Sequence, residues 1–454
     1  MFIDIDFLEV LSMSNINFLR KQLYASIDEL IDDFKSYLTD DKNYFSKESK
    51  LPIRKLIEFI LFMGADAIKD ELYDFFDFKN TPTTSAFVQQ RQKLKFEAFK
   101  FLFESFNKKV HSTRNVLYKG YRLLAIDGSS IPISHNPDDI ETYIKKYDKY
   151  GQVCKGYNAF HMTAMYDLMS HLYDDVVIQG EPHMNEPGAF NDMVRRYEGV
   201  KAIFICDRGF ESLNSFVHVM KKEQKFLIRV KDIGSNGLLS SFPEQETEEF
   251  DIDYQFIATT KQTNEVKKHK EIYKFMSNCS TFDHFEENNP YYPVNIRIVR
   301  IKIGENKYES IITNLDRNEF AFDEIKWLYG IRWGIETSFR ELKYAVGLSA
   351  FHAKNRNSIK QEIYAKLLFY NFSEKLIRSI KPRKVKKERI HIYAINSTRA
   401  FHSIRIFMKK KRGGKRPPDI ESIIANEIEP IRPGRSDTRK VRKQAPVHFI
   451  YRFQ

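Results

Sequence analysis

The stretch from residue 122 to residue 230 constrains the fold most, because its hydrophobic period changes from segment to segment in a definite order. RLLAIDGSSIPI, NAFHMTAMYDL and YDDVVIQG are rich in Ile, Val, Leu and aromatic residues, are separated by turn residues, and read as three successive strands. GAFNDMVRRYEG is amphipathic at the helical period, KAIFICDRG is a buried strand, ESLNSFVHVMKKEQ is a second helix, and KFLIRV is a further strand. The order is βββαβαβ. Three meandering strands followed by α/β alternation call for a mixed sheet with helices on both faces.

Those are the requirements of a ribonuclease H-like core, so the expected fold class is α/β. From 234 to about 305 the pattern lapses into Glu-rich loops and short runs such as YQFIATT and NIRIVRIKI, read as a β-rich insertion. The core resumes with YESIITNL and a long helix beginning near Phe322. Upstream, Pro52 opens a helical run over 53–64 with an apolar face at Leu56, Ile57, Ile60 and Leu61, and a second helix covers 66–76. The turn DFKNTPTT then leads into SAFVQQRQKL, with Thr83 or Thr84 as its N-cap. Two short helices about a turn suggest a helix-turn-helix. Ser85, Gln89 and Gln92 share one face of the later helix, so amides of the kind that read adenine edges are expected to point outward beside Arg91, Lys93 and Lys95. An ordinary helical scaffold with a polar face explains the same spacing.

Lys and Arg number 73 against 61 Asp and Glu, a formal net charge of +12, but the excess is local. Residues 381–454 hold 21 basic and 6 acidic residues, a net of +15, which leaves −3 over residues 1–380. KPRKVKKER, KKKRGGKR and RPGRSDTRKVRK, broken by Gly and Pro, are not expected to bury a face and would lie well on phosphates. Nucleic acid is the expected partner, and a solvated tail the bland alternative.

At 454 residues, 42% apolar and 30% charged, the chain has room for roughly three domains of ~150 residues and is no collagen, disordered tail or small disulfide scaffold. Cys154, Cys206 and Cys279 lie far apart with no C-x-x-C pair, so neither a disulfide framework nor a zinc ribbon is available. MFIDIDFLEV lacks the basic start of a signal peptide, and no apolar run approaches the ~20 residues that span a bilayer. A cytoplasmic location without membrane contact is expected. The expected division is 1–115, a helical DNA-binding domain; 116–233 and 306–380, the two parts of the core; 234–305, the insertion; and 381–454, a basic region for DNA contact or multimerisation.

Asp127 in LLAIDGSS and Asp207 in IFICDRGF are each read as ending a strand before a Gly-containing turn. Such a carboxylate is held rigidly at a sheet edge, as hard Mg²⁺ or Mn²⁺ ions require, although Asp also follows strands simply because it caps turns. A third partner lies in the helix WLYGIRWGIETSFRELKYAVGL. With Glu336 as origin, Tyr329, Arg332 and Lys343 fall at about +20°, −40° and −20° around an ideal axis, one narrow stripe. A carboxylate beside an arginine, a lysine and a tyrosine suits a metal ion with phosphates gripped alongside. The competing reading is a solvated helix with salt bridges.

The order Asp127, Asp207, Glu336, with Y-x2-R-x3-E-x6-K reading Tyr329, Arg332, Glu336 and Lys343, resembles the DDE transposases of bacterial insertion sequences, and among them the insertion-sequence-four group. AIDGS, CDRGF, ITNL and YGIRWGIETSFRELK are phrases of that pattern in its order, over about residues 80–370. The resemblance implies three carboxylates binding two divalent ions, Mg²⁺ or Mn²⁺, one activating a water or 3′-hydroxyl and the other stabilising the leaving oxygen. It implies cleavage at the ends of a double-stranded element, joining to target DNA with a hairpin as one route, and a homodimer on DNA in the nucleoid-associated cytoplasm of a bacterium. Both tryptophans, Trp327 and Trp333, lie in the Glu336 helix, so a flipped base would stack on aromatic residues of the insertion such as Tyr254, Phe256, Tyr291 or Tyr292. Two other functions fit: a non-catalytic DNA-binding protein derived from a transposase, and a nuclease that cleaves without joining. The survival of all three carboxylates and their partners speaks against the first, and joining activity separates the second.

Overall fold

The computed structural model describes residues 15–40, 45, 50–111, 116–243, 245–277, 281–383, 392–409 and 417–431. Five helices come first: α1 (Ile16–Asp32), α2 (Ile53–Phe62), α3 (Ile68–Phe76), α4 (Thr84–Gln92) and α5 (Glu97–His111). Short-range chemistry sets their ends. The Asn15 side chain accepts from the Phe18 N–H, Pro52 stands at the start of α2 where no donor is needed, and Thr83 accepts from the Ala86 N–H. Asp77 closes α3 in the left-handed region at φ 51°.

The strands and helices of the centre follow as β1 (Arg122–Ile133), β2 (Tyr143–Tyr147), β3 (Val153–Asp167), β4 (Leu172–Gly180), α6 (Glu186–Arg196), β5 (Ala202–Cys206), α7 (Leu213–Lys221) and β6 (Lys225–Val230). After them come β7 (Phe250–Thr259), α8 (Asn264–Lys268), β8 (Tyr273–Phe275), β9 (Tyr291–Gly304), β10 (Lys307–Thr313), α9 (Phe322–Ile331) and α10 (Gly334–Arg340). A π-turn over Glu341–Ala345 leads to α11 (Arg356–Ser379), then β11 (Ile392–Ile395), α12 (Ser397–Lys409), α13 (Ile420–Asn426) and β12 (Ile428–Ile431).

One ten-stranded mixed sheet organises the molecule in the order β2-β3-β1-β5-β6-β10-β9-β7-β8, with β4 also on β3. β1 runs parallel to β5 and β5 to β6, whereas β3 is antiparallel to β1 and to β4. This large mixed sheet is consistent with the expected ribonuclease H-like core. Both faces are covered, so the central strands read as unbroken apolar runs whose successive residues enter opposite cores. Leu123, Ala125, Ile203 and Ile205 join the core beneath α5, α9 and α11, while Leu124, Ile126, Phe204 and Cys206 join the core beneath α6 and α7. Among the described residues no helix is long and apolar enough to cross a membrane.

The tertiary structure departs from the sequence reading at several points. β2, a polar strand with no fully buried residue, pairs with the first half of β3; its sequence YIKKY lacks the apolar signal of its neighbours. The segment read as an insertion prolongs the sheet, because β9 pairs with β10 along Lys307–Thr313 and β7 pairs with β9. The amino-terminal helices share one apolar cluster with α11 and the sheet, and Asn107 of α5 donates to the Tyr173 carbonyl of β4. They form a layer of the same body.

Between the basic runs, the carboxyl-terminal region also buries a face. Ala400, Phe401 and Ile404 of α12 and Ile420 and Ile424 of α13 are enclosed, and Lys409 donates to Glu71 at 2.6 Å. Apolar residues at helical spacing outweigh the basic composition of the segment. Residues 384–391, 410–416 and 432–454, which carry most of the basic runs, lie outside the described residues, as do Cys279 and the first fourteen residues.

Candidate active site

Asp127 lies within β1, which continues to Ile133 because β3 pairs with it beyond that point; only the parallel pairing with β5 stops, at Ile126 and Cys206. Asp127 and Asp207 are thus the next residues on two adjacent parallel strands, at their carboxyl ends, where the sheet opens. Each carboxylate is steadied by a backbone N–H that follows it closely in the chain. Asp127 Oδ1 accepts from the Gly128 N–H at 2.8 Å, and Asp207 Oδ1 accepts from the Gly209 N–H at 2.6 Å.

Glu336 comes from α10. Arg332 Nη2 donates to Glu336 Oε1 at 3.0 Å, and Arg332 Nη1 lies 3.5 Å from Asp127 Oδ2, so one guanidinium bridges helix and strand. Arg229 of β6 stands 3.7 Å from Asp207 Oδ2 and donates to Glu309 at 2.7 Å. Burial pushes the Asp127 carboxyl up to about 6; the Gly128 N–H and Arg332 oppose this, while the charges of Asp207 and Glu336 add to it. Asp127 thus feels the charges of both other carboxylates.

The expected stripe is bent. The chain leaves α9 at Ile331, re-enters a helix at Gly334, and widens into the π-turn before Val346, so a single ideal axis does not run through all four positions. Arg332 and Glu336 keep their one-turn relation. Lys343 instead donates to the Ser130 carbonyl of β1 at 2.8 Å, and burial holds its ammonium pKa below the usual range. Tyr329 is buried with its hydroxyl unbonded, its ring lying 5.7 Å from the Arg332 guanidinium and 6.0 Å from that of Arg229. Burial raises its phenol to about 12.

The amino-terminal candidates divide. Gln89 and Gln92 are exposed on α4, as expected. Arg91 is not: only 2% exposed, it lies 2.8 Å from Glu362 of α11 and donates to Gln361 and to the Ser358 carbonyl. A helix with Phe87 against the body turns Arg91, four residues on, to the same side. Phe256 is likewise buried, and the Tyr254 hydroxyl donates to the Glu271 carbonyl.

Sequence reasoning missed the neighbours on the other side. His161 of β3 is buried, with Nε2 2.9 Å from Glu186 Oε1 and Nδ1 3.6 Å from Glu181 Oε2. Burial disfavours the charged ring, but the two carboxylates outweigh it and raise its pKa to about 9. A histidine within a β-strand and two glutamates near a helix start carry no local signal of meeting.

The donor set is one of hard oxygens, which suits a divalent cation such as Mg²⁺. Among the described residues no three His, Cys, Asp or Glu side chains are gathered closely enough to enclose an ion as they stand, and Arg332 bridges Asp127 and Glu336.

A family model described as the transposase DDE domain matches residues 118–372, more than half of the chain. No curated protein matches it. Among solved structures, the chain is similar to one described as the cryo-EM structure of a piggyBac transposase synaptic complex with hairpin DNA, at 10% identity and a TM-score of 0.42, covering 95% of this chain and 86% of that one.

Proposed function

Given that the chain belongs to the transposase DDE domain family, we propose that it cleaves the ends of a DNA insertion sequence and joins the freed 3′-hydroxyls to target DNA, with Asp127, Asp207 and Glu336 as the residues that hold the metal ions. The observation carrying this reading is the Arg332 bridge between Asp127 and Glu336 beside the strand end that bears Asp207. Divalent ions bound by these carboxylates would polarise the scissile phosphate and lower the pKa of the attacking water or 3′-hydroxyl.

The chain's own residues would supply the rest. Arg332 is placed to share a developing negative charge once a phosphate enters, since its Nε and Nη1 make no hydrogen bond. Lys343, anchored on Ser130, and Tyr329, whose hydroxyl makes no hydrogen bond, would fix the strand for in-line attack. The Tyr329, Arg332, Glu336 and Lys343 spacing favours the insertion-sequence-four group, in which a hairpin intermediate is formed. Gln89 and Gln92 would contact the element ends and the basic carboxyl-terminal runs would contact phosphates anywhere, with two protomers holding two ends.

The test is cleavage and joining of the element's own terminal DNA in Mg²⁺. Asp127→Ala, Asp207→Ala and Glu336→Ala should each abolish cleavage while leaving DNA affinity nearly intact. Full cleavage by Asp207→Ala would refute the assignment. Cleavage without joining by the unaltered protein would make it a nuclease.

A further inference from the structure

Gly128 and Gly209 follow the two aspartates of the site closely, yet neither has the positive φ that demands glycine. A neighbour is what leaves no room for a side chain at Gly128 and crowds one at Gly209. An ideal Cβ on Gly128 would lie 1.9 Å from Glu186 Oε1 and 2.5 Å from His161 Nε2. One on Gly209 would lie 3.2 Å from Glu186 Oε2 and 3.1 Å from Asp207 Oδ1. A single carboxylate thus faces the glycines that follow both aspartates, one oxygen toward Gly128 within β1 and the other toward Gly209 in the turn after β5.

Helix α6 does not need Glu186 in that place as a cap, because the Asn185 side chain already accepts from the Gly188 N–H at 3.0 Å. The carboxylate is aimed from behind. His161, 6% exposed, holds Oε1 at 2.9 Å, and Glu181 stands on the far side of the ring. His161 Nδ1 faces Glu181 Oε2 at 3.6 Å and Nη1 of Arg332 faces Asp127 Oδ2 at 3.5 Å, whereas Nε of Arg332, itself 3% exposed, is enclosed and makes no hydrogen bond. A buried guanidinium N–H left without a partner beside Asp127 and Glu336 points to a polar ligand at the site.

We propose that Glu186 is a fourth carboxylate of the phosphoryl-transfer site, a positioning residue that takes a water of the divalent ion's hydration shell between Asp127 and Asp207, with His161 fixing its direction. Mg²⁺ sheds its waters reluctantly, and those it keeps need acceptors, which an anchored carboxylate supplies. The inference rests on the reading of Asp127, Asp207 and Glu336 as the metal-holding residues.

The experiment measures Mn²⁺ binding by the full chain without DNA, through the loss of the free-ion electron paramagnetic resonance signal, with thermal melting in parallel. Glu186→Gln should weaken Mn²⁺ binding by roughly 10- to 100-fold at an unchanged melting temperature. Glu186→Asp should fall between it and the wild type, and His161→Gln should weaken binding in the same direction. Wild-type affinity in Glu186→Gln, or in Glu186→Asp should the first not fold, overturns the proposal and leaves the pair a tether between α6 and β3. Asp207→Ala separates the two readings. If it binds Mn²⁺ as the wild type does, the underlying assignment fails; if it loses Mn²⁺ while Glu186→Gln keeps it, only the role of Glu186 falls.

Discussion

Arg332, at the end of α9, reaches Asp127 across the gap between helix and sheet, with Nη1 3.5 Å from Oδ2, while donating to Glu336 of α10. The guanidinium is 3% exposed, so its charge acts in a poorly screened setting. Arg332→Ala should slow DNA cleavage by about 100-fold or more, since a fixed cation beside a developing charge is lost. Arg332→Lys should recover folding but only part of the rate, because an ammonium cannot address two carboxylates as a fork does. Cleavage kinetics beside denaturant unfolding check both, and equal rates for the wild type and both variants would reduce the bridge to a structural pair.

Arg91 and Glu362 form the ion pair that locks α4 to α11, at 2.8 Å with both side chains enclosed. Arg91 holds the Glu362 carboxyl well below the usual range against the opposing cost of burial. Arg91→Ala should cost about 3–5 kcal/mol by leaving that buried carboxylate without its ion-pair partner and with only His352 beside it, whereas Gln89→Ala and Gln92→Ala should stay within about 0.5 kcal/mol. Urea unfolding measures this. If Gln89 and Gln92 read the element ends, their variants should lose discrimination against random DNA at full stability.

Residues 432–454 hold seven basic residues and one acidic residue. Truncation after Ile431 should weaken binding to all DNA and flatten its salt dependence, with little change in sequence preference or melting temperature. Truncation after Ser379 should also unfold part of the body, because it removes Phe401, Ile404 and the Lys409 contact with Glu71. Binding titrations at several salt concentrations distinguish the two, and an unchanged salt slope after the shorter deletion would exclude the terminal residues from phosphate contact.

Glu374 is enclosed in α11, and burial lifts its carboxyl to about 7, with Arg378 opposing and Glu341 reinforcing the shift. In the unfolded chain the group titrates near ~4.3, so between those values the folded state keeps a proton that the unfolded state has lost. Its contribution to stability is therefore complete below about pH 4 and is lost as the pH rises through about 7. Glu374→Gln should be more stable than the wild type at pH 8, by up to about 3 kcal/mol, and nearly equal to it at pH 4.5. Melting curves across that range decide, and a variant less stable at pH 8 would mean that Arg378 governs the site.

The central strands, the start of α9 at Phe322 and the phrases holding Asp127, Asp207 and Glu336 were all legible in the sequence, because period and local turn chemistry belong to neighbouring residues. The sequence alone thus determined the order of the core and the helix face shared by Arg332 and Glu336. Only the tertiary structure decided that Arg91 turns inward, since the side of α4 that stays dry depends on α11 lying over it. It alone joined β9 to β10, where backbone hydrogen bonding extends a sheet without regard to side-chain pattern. It also brought His161, Glu181 and Glu186 to the edge of the carboxylate site, from a strand, a turn and a helix start that carry no common period. Charge and hydrogen bonding act through space, over a few ångströms, and the chain's linear pattern records only those contacts that are also close in sequence.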